Sequence, residues 1–284
     1  MDLIDLHVHS TASDGTKTPT QVIMEAKRVG LKAMALTDHD TCNGLKEACE
    51  AAKGVLEFVP GIEISCSRDK DKELHMLGLY IDYNNAFFLD FVNELSRSRI
   101  ERNHKMISLI TAQGFDITMD EMAEKFGNVT ITRAHFARIL LDKGYVKSIN
   151  EAFDKYLGDG KPCYMQRERV NPKEAIDIIH KAGGLAILAH PMLYKLDRVE
   201  TKKLIGSLVN MGLDGVEALY STHTESDEIF LRTLAKELSI CYSGGSDYHG
   251  DNKPLISLGT GRGGLKIGYH ILENIKEYHA ASQR

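Results

Sequence analysis

The run Asp5-Leu6-His7-Val8-His9-Ser10 decides how this chain is read. It closes an apolar segment, Leu3–His9, with the composition of a short strand. Successive strand side chains alternate between faces, so His7 and His9 share one face with Cα atoms roughly 6.5 Å apart. Two imidazoles so placed converge on one cation, and Asp5, at the same parity, is expected to accept a hydrogen bond behind them. A lone strand histidine is ordinarily a core residue. The metal reading therefore depends on what other strand ends deliver.

They deliver the same chemistry repeatedly. Thr37-Asp38-His39-Asp40 ends the apolar run Lys32–Thr37, and Glu63 lies in the strand candidate Leu56–Ile64. His75 lies in Leu74–Ile81, His190-Pro191 ends Leu185–Ala189, and Asp247-Tyr248-His249 follows Ile240–Ser243. Six of the 12 histidines fall at such places, in a sequence without a His-rich tract. Asp14, in Thr11-Ala12-Ser13-Asp14-Gly15-Thr16, reads alone as a turn residue. Imidazole and carboxylate without thiolate suit Zn, Mn or Fe.

Helices separate these strands. Thr18-Pro19-Thr20-Gln21 carries a capping box with proline at the first helical position, and Gly30 ends the segment. Gly44–Lys53, a helix opened by Asn171-Pro172, and Glu200–Met211, Ser226–Leu238 and Tyr269–His279 follow the same logic. Strands alternating with helices predict a parallel α/β sheet or barrel, whose strand ends share one mouth. From Asn84 to Gln166 the period is helical, led by Phe87–Gln113. The expected organisation is a barrel of residues 1–83 and 167–284 interrupted by a helical insertion, 84–166. Arg97, Arg99 and Lys105 are expected on a solvated helix face, and His104, His180, His270 and His279 on solvated helices.

The 284 residues, 43% hydrophobic and 26% charged, exclude a disordered or low-complexity chain. A net charge of −5 gives no global field favouring duplex nucleic acid or an anionic membrane. No stretch approaches the roughly 18–20 apolar residues of a membrane span. Five scattered cysteines without a C-x-x-C pair and an acidic N-terminus unlike a signal peptide lead to an expected cytoplasmic location.

Taken in order, DLHVHS, TDHD, GIE, His75, AHP and GSDYHG resemble the PHP (polymerase and histidinol phosphatase) family. The resemblance implies an α/β fold, a distorted seven-stranded β/α barrel, with two or three divalent cations at its mouth. It implies a first cation on His7, His9, Glu63 and Asp247, and a second on Glu63, His75 and His190. A third would take Asp14, His39 and His249, with Asp14 where some members have histidine. It also implies a phosphoesterase in which a hydroxide bridging two cations attacks phosphorus, His249 standing near the leaving oxygen. Thr130–Arg138 (TITRAHFAR) and Gly158–Pro162 (GDGKP) resemble one branch, containing nucleoside 3′,5′-bisphosphate phosphatases and enzymes trimming the 5′ ends of short RNA. That resemblance implies that Arg133, with His135 and Lys161, grips a second phosphate, with Arg102 and Asn103 as weaker candidates. His223 is expected to face the mouth and touch substrate, with Glu217 and Tyr220 packing or supporting ligands. The favoured substrate is thus a nucleoside 3′,5′-bisphosphate, with no membrane partner. The alternatives are a 5′-to-3′ exoribonuclease acting on short oligonucleotides and a non-catalytic metal-stabilised module. Histidinol phosphate is disfavoured because it offers Arg133 no second phosphate.

Overall fold

The computed structural model describes residues 2–69, 72–127, 129–165 and 170–282. It divides into two compact units, Met1–Phe91 with Arg169–Arg284, and Val92–Glu168. The expected boundary at 166/167 lies outside the described residues.

In the first unit, β1 (Leu3–Asp5), α1 (Pro19–Arg28), β2 (Leu31–Leu36), α2 (Leu45–Ala52), β3 (Glu57–Asp69) and β4 (Lys72–Leu79) come before the second unit. The second unit takes most of α3 (Ala86–Ala112), then α4 (Met119–Phe126), α5 (Arg133–Asp142) and α6 (Ile149–Ala152). The first unit resumes with α7 (Pro172–Lys181), β5 (Leu185–Leu188), α8 (Arg198–Asn210), β6 (Gly215–Tyr220), α9 (Glu225–Glu237), β7 (Cys241–Gly245) and α10 (Tyr269–Ser282). Local chemistry accounts for the helix starts. Thr18 and Gln21 close the capping box of α1 with Pro19 in its first turn, and Asn171 caps α7 ahead of Pro172.

The strands lie in sequence order, β1 to β7. The pairs β1–β2, β2–β3, β5–β6 and β6–β7 are parallel, while β3–β4 and β4–β5 are antiparallel. The parallel order expected from the alternation of strands and helices is thus broken at β4, within the distorted barrel the resemblance implies. Only two residues separate β3 from β4, too few for a parallel crossover, which takes a dozen or more. The reversal matters for the site. The start of β4 meets the carboxyl ends of its neighbours, so His75 pairs opposite Ser65 and its carbonyl accepts from the Ala189 N–H at 3.0 Å.

The expected strand Leu3–His9 is also shorter, since β1 ends at Asp5. Beyond it the chain stays hydrogen-bonded across the gap to β7. The Leu6 N–H donates to the Gly244 carbonyl at 3.1 Å, the Asp247 N–H to His7 at 2.8 Å, and the His9 N–H to Tyr248 at 2.9 Å. These bonds bring the sheet to a nearly closed barrel and hold His7 and His9 at its rim. Close approach demands glycine at position 245, where an added Cβ would collide with the Cβ of His7. Ile4, Leu6, Met34, Leu36, Ile62, Ile64 and Met76 are fully buried in the core of this unit. The second unit has its own apolar core, around Met106, Ile110, Met122, Phe136 and Leu140.

Candidate metal centre

Glu63, on β3, is 1% exposed and stands at the centre of an imidazole ring cluster. Its Oε2 lies 3.4 Å from His7 Nε2, 3.2 Å from His9 Nε2 and 3.0 Å from His39 Nδ1. Its Oε1 lies 2.8 Å from His75 Nδ1 and 3.1 Å from His190 Nε2. One carboxylate therefore faces five imidazoles drawn from four strands and the loops that follow them. Three groups of potential ligand atoms converge within metal-binding span: His7, His9 and Glu63; His39, Glu63 and His75; and His9, Asp14, His39 and His249. Asp247 joins from the loop after β7, its Oδ1 3.7 Å from His7 Nε2 and 3.4 Å from His9 Nε2.

The surroundings aim these atoms. Glu217 Oε1 lies 3.0 Å from His7 Nδ1, and its Oε2 accepts the His190 N–H at 2.8 Å. A carboxylate only accepts, so Nδ1 of His7 carries a proton and Nε2 is the atom turned toward Glu63. The Asp247 carbonyl likewise takes the Nδ1 proton of His249 at 2.9 Å, leaving its Nε2 3.3 Å from Asp14 Oδ1. Asp38 accepts from the Ser10 N–H and from the hydroxyls of Ser10 and Ser13, which shapes the loop carrying His9 and Asp14. Asp40, His190 and Asp247 all adopt positive φ, at 50°, 29° and 58°. Backbone strain of this kind collects where the surroundings must aim a side chain.

A resident cation fits this donor set. Nε2 of His7, Nε2 of His9, Nδ1 of His39 and Oε2 of Glu63 are buried without a hydrogen-bond partner among the described residues. Buried polar atoms are rarely left so, and a metal is the ligand that satisfies lone pairs of both imidazole and carboxylate. The protonation pattern says the same. Burial works against the charged form of Glu63, yet His39, His75 and His7 outweigh it and hold the carboxyl well below its usual range. Asp14 and Asp247 are likewise held low against burial, by His39 and His249 and by Lys253 and His249 respectively. Burial opposes the charged forms of His9 and His75 too, but the adjoining carboxylates raise them to about 9 and about 10. In the absence of a cation, protons offset the carboxylate charge.

The structure thus gathers all nine residues expected as ligands: His7, His9, Asp14, His39, Glu63, His75, His190, Asp247 and His249. His9 and His39 each join two of the convergent groups, where the sequence placed each in one. Several expectations are corrected. Asp5 does not back the imidazoles. It accepts from the Ser246 and Gly259 N–H groups at 2.8 Å, tying the loops after β7 together. Arg99 is buried rather than solvated. His180 pairs with Asp214 at 2.7 Å, and His279 donates to the Gly183 carbonyl at 2.6 Å while stacking on Tyr80, so neither is simply solvated. The sequence also passed over Tyr194, whose hydroxyl accepts from the His75 N–H and donates to the Ala189 carbonyl. It passed over Lys253 as well, 2.6 Å from Asp247 Oδ2.

The chain from residue 5 to residue 251 matches the PHP domain family. It belongs to that family. Among PHP relatives, it is 36% identical over 246 residues to a 5′-3′ exoribonuclease of Haemophilus influenzae, covering 86% of this chain and 89% of the relative. It is 34% identical over 268 residues to a 3′,5′-nucleoside bisphosphate phosphatase of Chromobacterium violaceum, covering 94% and 90%. A solved structure from Bifidobacterium adolescentis, described as a candidate metal-dependent phosphoesterase, superposes with a TM-score of 0.86 at 28% identity, covering 98% of this chain and 96% of that one.

Of the remaining candidates of this PHP chain, His223 belongs to the first unit and the others to the second. His223, after β6, donates from Nδ1 to the Ala218 carbonyl at 3.0 Å and packs against Tyr220, whose hydroxyl donates to Asp247 Oδ2 at 2.7 Å. In the second unit Arg133 pairs with Asp159 at 2.7 Å beside the Tyr164 ring. Nδ1 of His135 accepts the Thr132 N–H at 3.0 Å, so a neutral ring keeps its proton on Nε2. Arg102 and Asn103 both donate to the Ile131 carbonyl, and Lys161 is exposed. Among the described residues no helix is long and apolar enough to cross a membrane.

Proposed function

We propose that this PHP protein is a metal-dependent phosphoesterase whose preferred substrate is a nucleoside 3′,5′-bisphosphate, releasing the 3′ phosphate. The observation that carries this is five imidazoles around Glu63 with unpartnered buried lone pairs among them. Two or three Mn, Zn or Fe ions are assigned as the family resemblance implies: His7, His9, Glu63 and Asp247; Glu63, His75 and His190; Asp14, His39 and His249. When bound, such ions supply a water ionised near neutral pH and charge to offset the phosphoryl oxygens. The protein's part is positioning. Glu63 directs one oxygen to each side of the cluster, Glu217 fixes His7, and Tyr220 holds the Oδ2 of Asp247 so that Oδ1 stays turned to the histidines.

Arg133, aided by His135 and Lys161, is assigned to the second phosphate, because a guanidinium fork matches phosphate oxygens in a bidentate way. Arg102 and Asn103 remain lesser candidates, and His223 is assigned to the nucleoside side of the substrate. The name of the Chromobacterium relative supports the bisphosphate. The name of the Haemophilus relative supports a second reading, 5′-to-3′ trimming of short 5′-phosphorylated RNA. The free cysteines, scattered through the described residues, support a reducing compartment, the cytoplasm.

The manganese-loaded protein is tested on adenosine 3′,5′-bisphosphate and on a 5′-phosphorylated ribotrinucleotide. Faster phosphate release from the bisphosphate is expected, with Arg133→Ala raising its KM about tenfold and leaving 3′-AMP unchanged. Faster mononucleotide release from the trinucleotide would install the exonuclease reading. Silence on both would leave a non-catalytic module.

A further inference from the structure

Asp247 divides its two oxygens between different partners. Oδ1 faces His7, His9 and His249, at 3.7, 3.4 and 3.3 Å. Oδ2 accepts from the Tyr220 hydroxyl at 2.7 Å and from Lys253 Nζ at 2.6 Å. The aspartate side chain is 7% exposed and the lysine side chain 41%, so the lysine is the more accessible member of this pair.

Lys253 is held where it is by the loop that carries it. After His249 the chain makes a short turn, Gly250–Asn252. The Asp251 N–H donates to Thr16 Oγ1 at 2.9 Å and Asn252 Nδ2 to the Asp14 carbonyl at 2.8 Å. The Lys253 N–H closes the turn on the Gly250 carbonyl at 3.1 Å. The loop bearing Asp14 and the loop bearing Lys253 are therefore tied together at the edge of the ligand cluster. An ammonium has three donors, and among the described residues Asp247 is the only acceptor within ion-pair distance of it. Two donors remain for something from solvent.

We propose that Lys253 binds substrate, donating to a non-bridging oxygen of the phosphoryl group at the metal centre. The inference rests on the phosphoesterase reading. Lysine acts on phosphate as a compact point charge, and a charge fixed in advance beside the reacting group needs no reorganisation as charge moves during transfer. Asp247 orients the ammonium, and Tyr220 keeps the aspartate from turning away.

The probe is inorganic phosphate, titrated calorimetrically into manganese-loaded wild type, Lys253→Met and Lys253→Gln, with manganese affinity and content measured on the same samples. Both variants are expected to bind phosphate about tenfold or more weakly, with manganese affinity within about threefold of wild type. Unchanged phosphate binding would overturn the proposal. So would a loss of manganese affinity matching the loss of phosphate affinity, because Lys253 would then serve only to place Asp247. The two readings fail separately: a wild type without hydrolytic activity would overturn the phosphoesterase assignment, while the phosphate titration would still decide the role of Lys253.

Discussion

The two compact units differ in how densely they bury titratable groups. In the barrel unit His7, His9, Glu63, Asp247 and His249 are each no more than 5% exposed, and several of their polar atoms are unpartnered. In the helical unit the buried cluster is led by apolar side chains such as Met106, Phe136 and Leu140. Arg99 and Arg102 are buried there, while other charges pair with one another at the surface, as Lys125 and Arg138 do with Asp142, and Lys143 with Glu121. Surface pairs contribute little to stability, whereas a dense cluster of buried imidazoles and carboxylates carries a desolvation cost that a bound cation offsets. The difference separates a unit organised around a cluster of imidazoles and carboxylates from one organised mainly around apolar volume.

Three perturbations test that contrast. The largest effect is expected from Glu63→Gln. An amide presents N–H groups where the imidazoles need an anion, so metal content by elemental analysis falls sharply and hydrolysis drops to background. Full activity in this variant would remove Glu63 from the centre. Next comes Phe136→Ala, in the core of the helical unit, expected to cost about 3–5 kcal/mol in denaturant unfolding while leaving the metal content of folded protein unchanged. Loss of metal in step with stability would break the distinction between the units.

The smallest effect is a pH dependence. His9 and His75 titrate at about 9 and about 10 in the metal-free fold, raised by neighbouring carboxylates against burial. Their folded values lie above the ordinary histidine value of about 6.5, so the stability they contribute is fully present below that pH. It is lost as pH rises through about 9 to about 10. Metal-free protein is therefore expected to lose thermal stability from pH 7 to 10. Manganese binding at pH 7 should release protons, read as a dependence of the calorimetric heat on buffer ionisation enthalpy. Absence of proton release would contradict the assignment of these imidazoles as ligands.

Much of the candidate site was legible because its signals are local and repeated. Thr18-Pro19 and Asn171-Pro172 announce helix starts through the chemistry of capping, which needs only a few neighbouring residues. Histidine and acid at one strand end after another gain meaning together, since parallel strands bring those ends to one side. His180 and His279 misled because their partners, Asp214 and the Gly183 carbonyl, lie 34 and 96 residues away. Asp5 misled for a related reason. Its parity suits the imidazoles, but β1 ends there and the N–H groups of Ser246 and Gly259 claim the carboxylate.

By itself the sequence determined which side chains are present, where helices begin, and that donors recur at strand ends, all set by short-range sterics and hydrogen bonding. Only the tertiary structure decided that β4 runs backwards, that Glu63 faces five imidazoles at once, and that Asp247 gives one oxygen to histidines and the other to Tyr220 and Lys253. Those facts depend on distances between residues remote in the chain. Such distances are fixed by barrel closure and packing, and no local pattern encodes them.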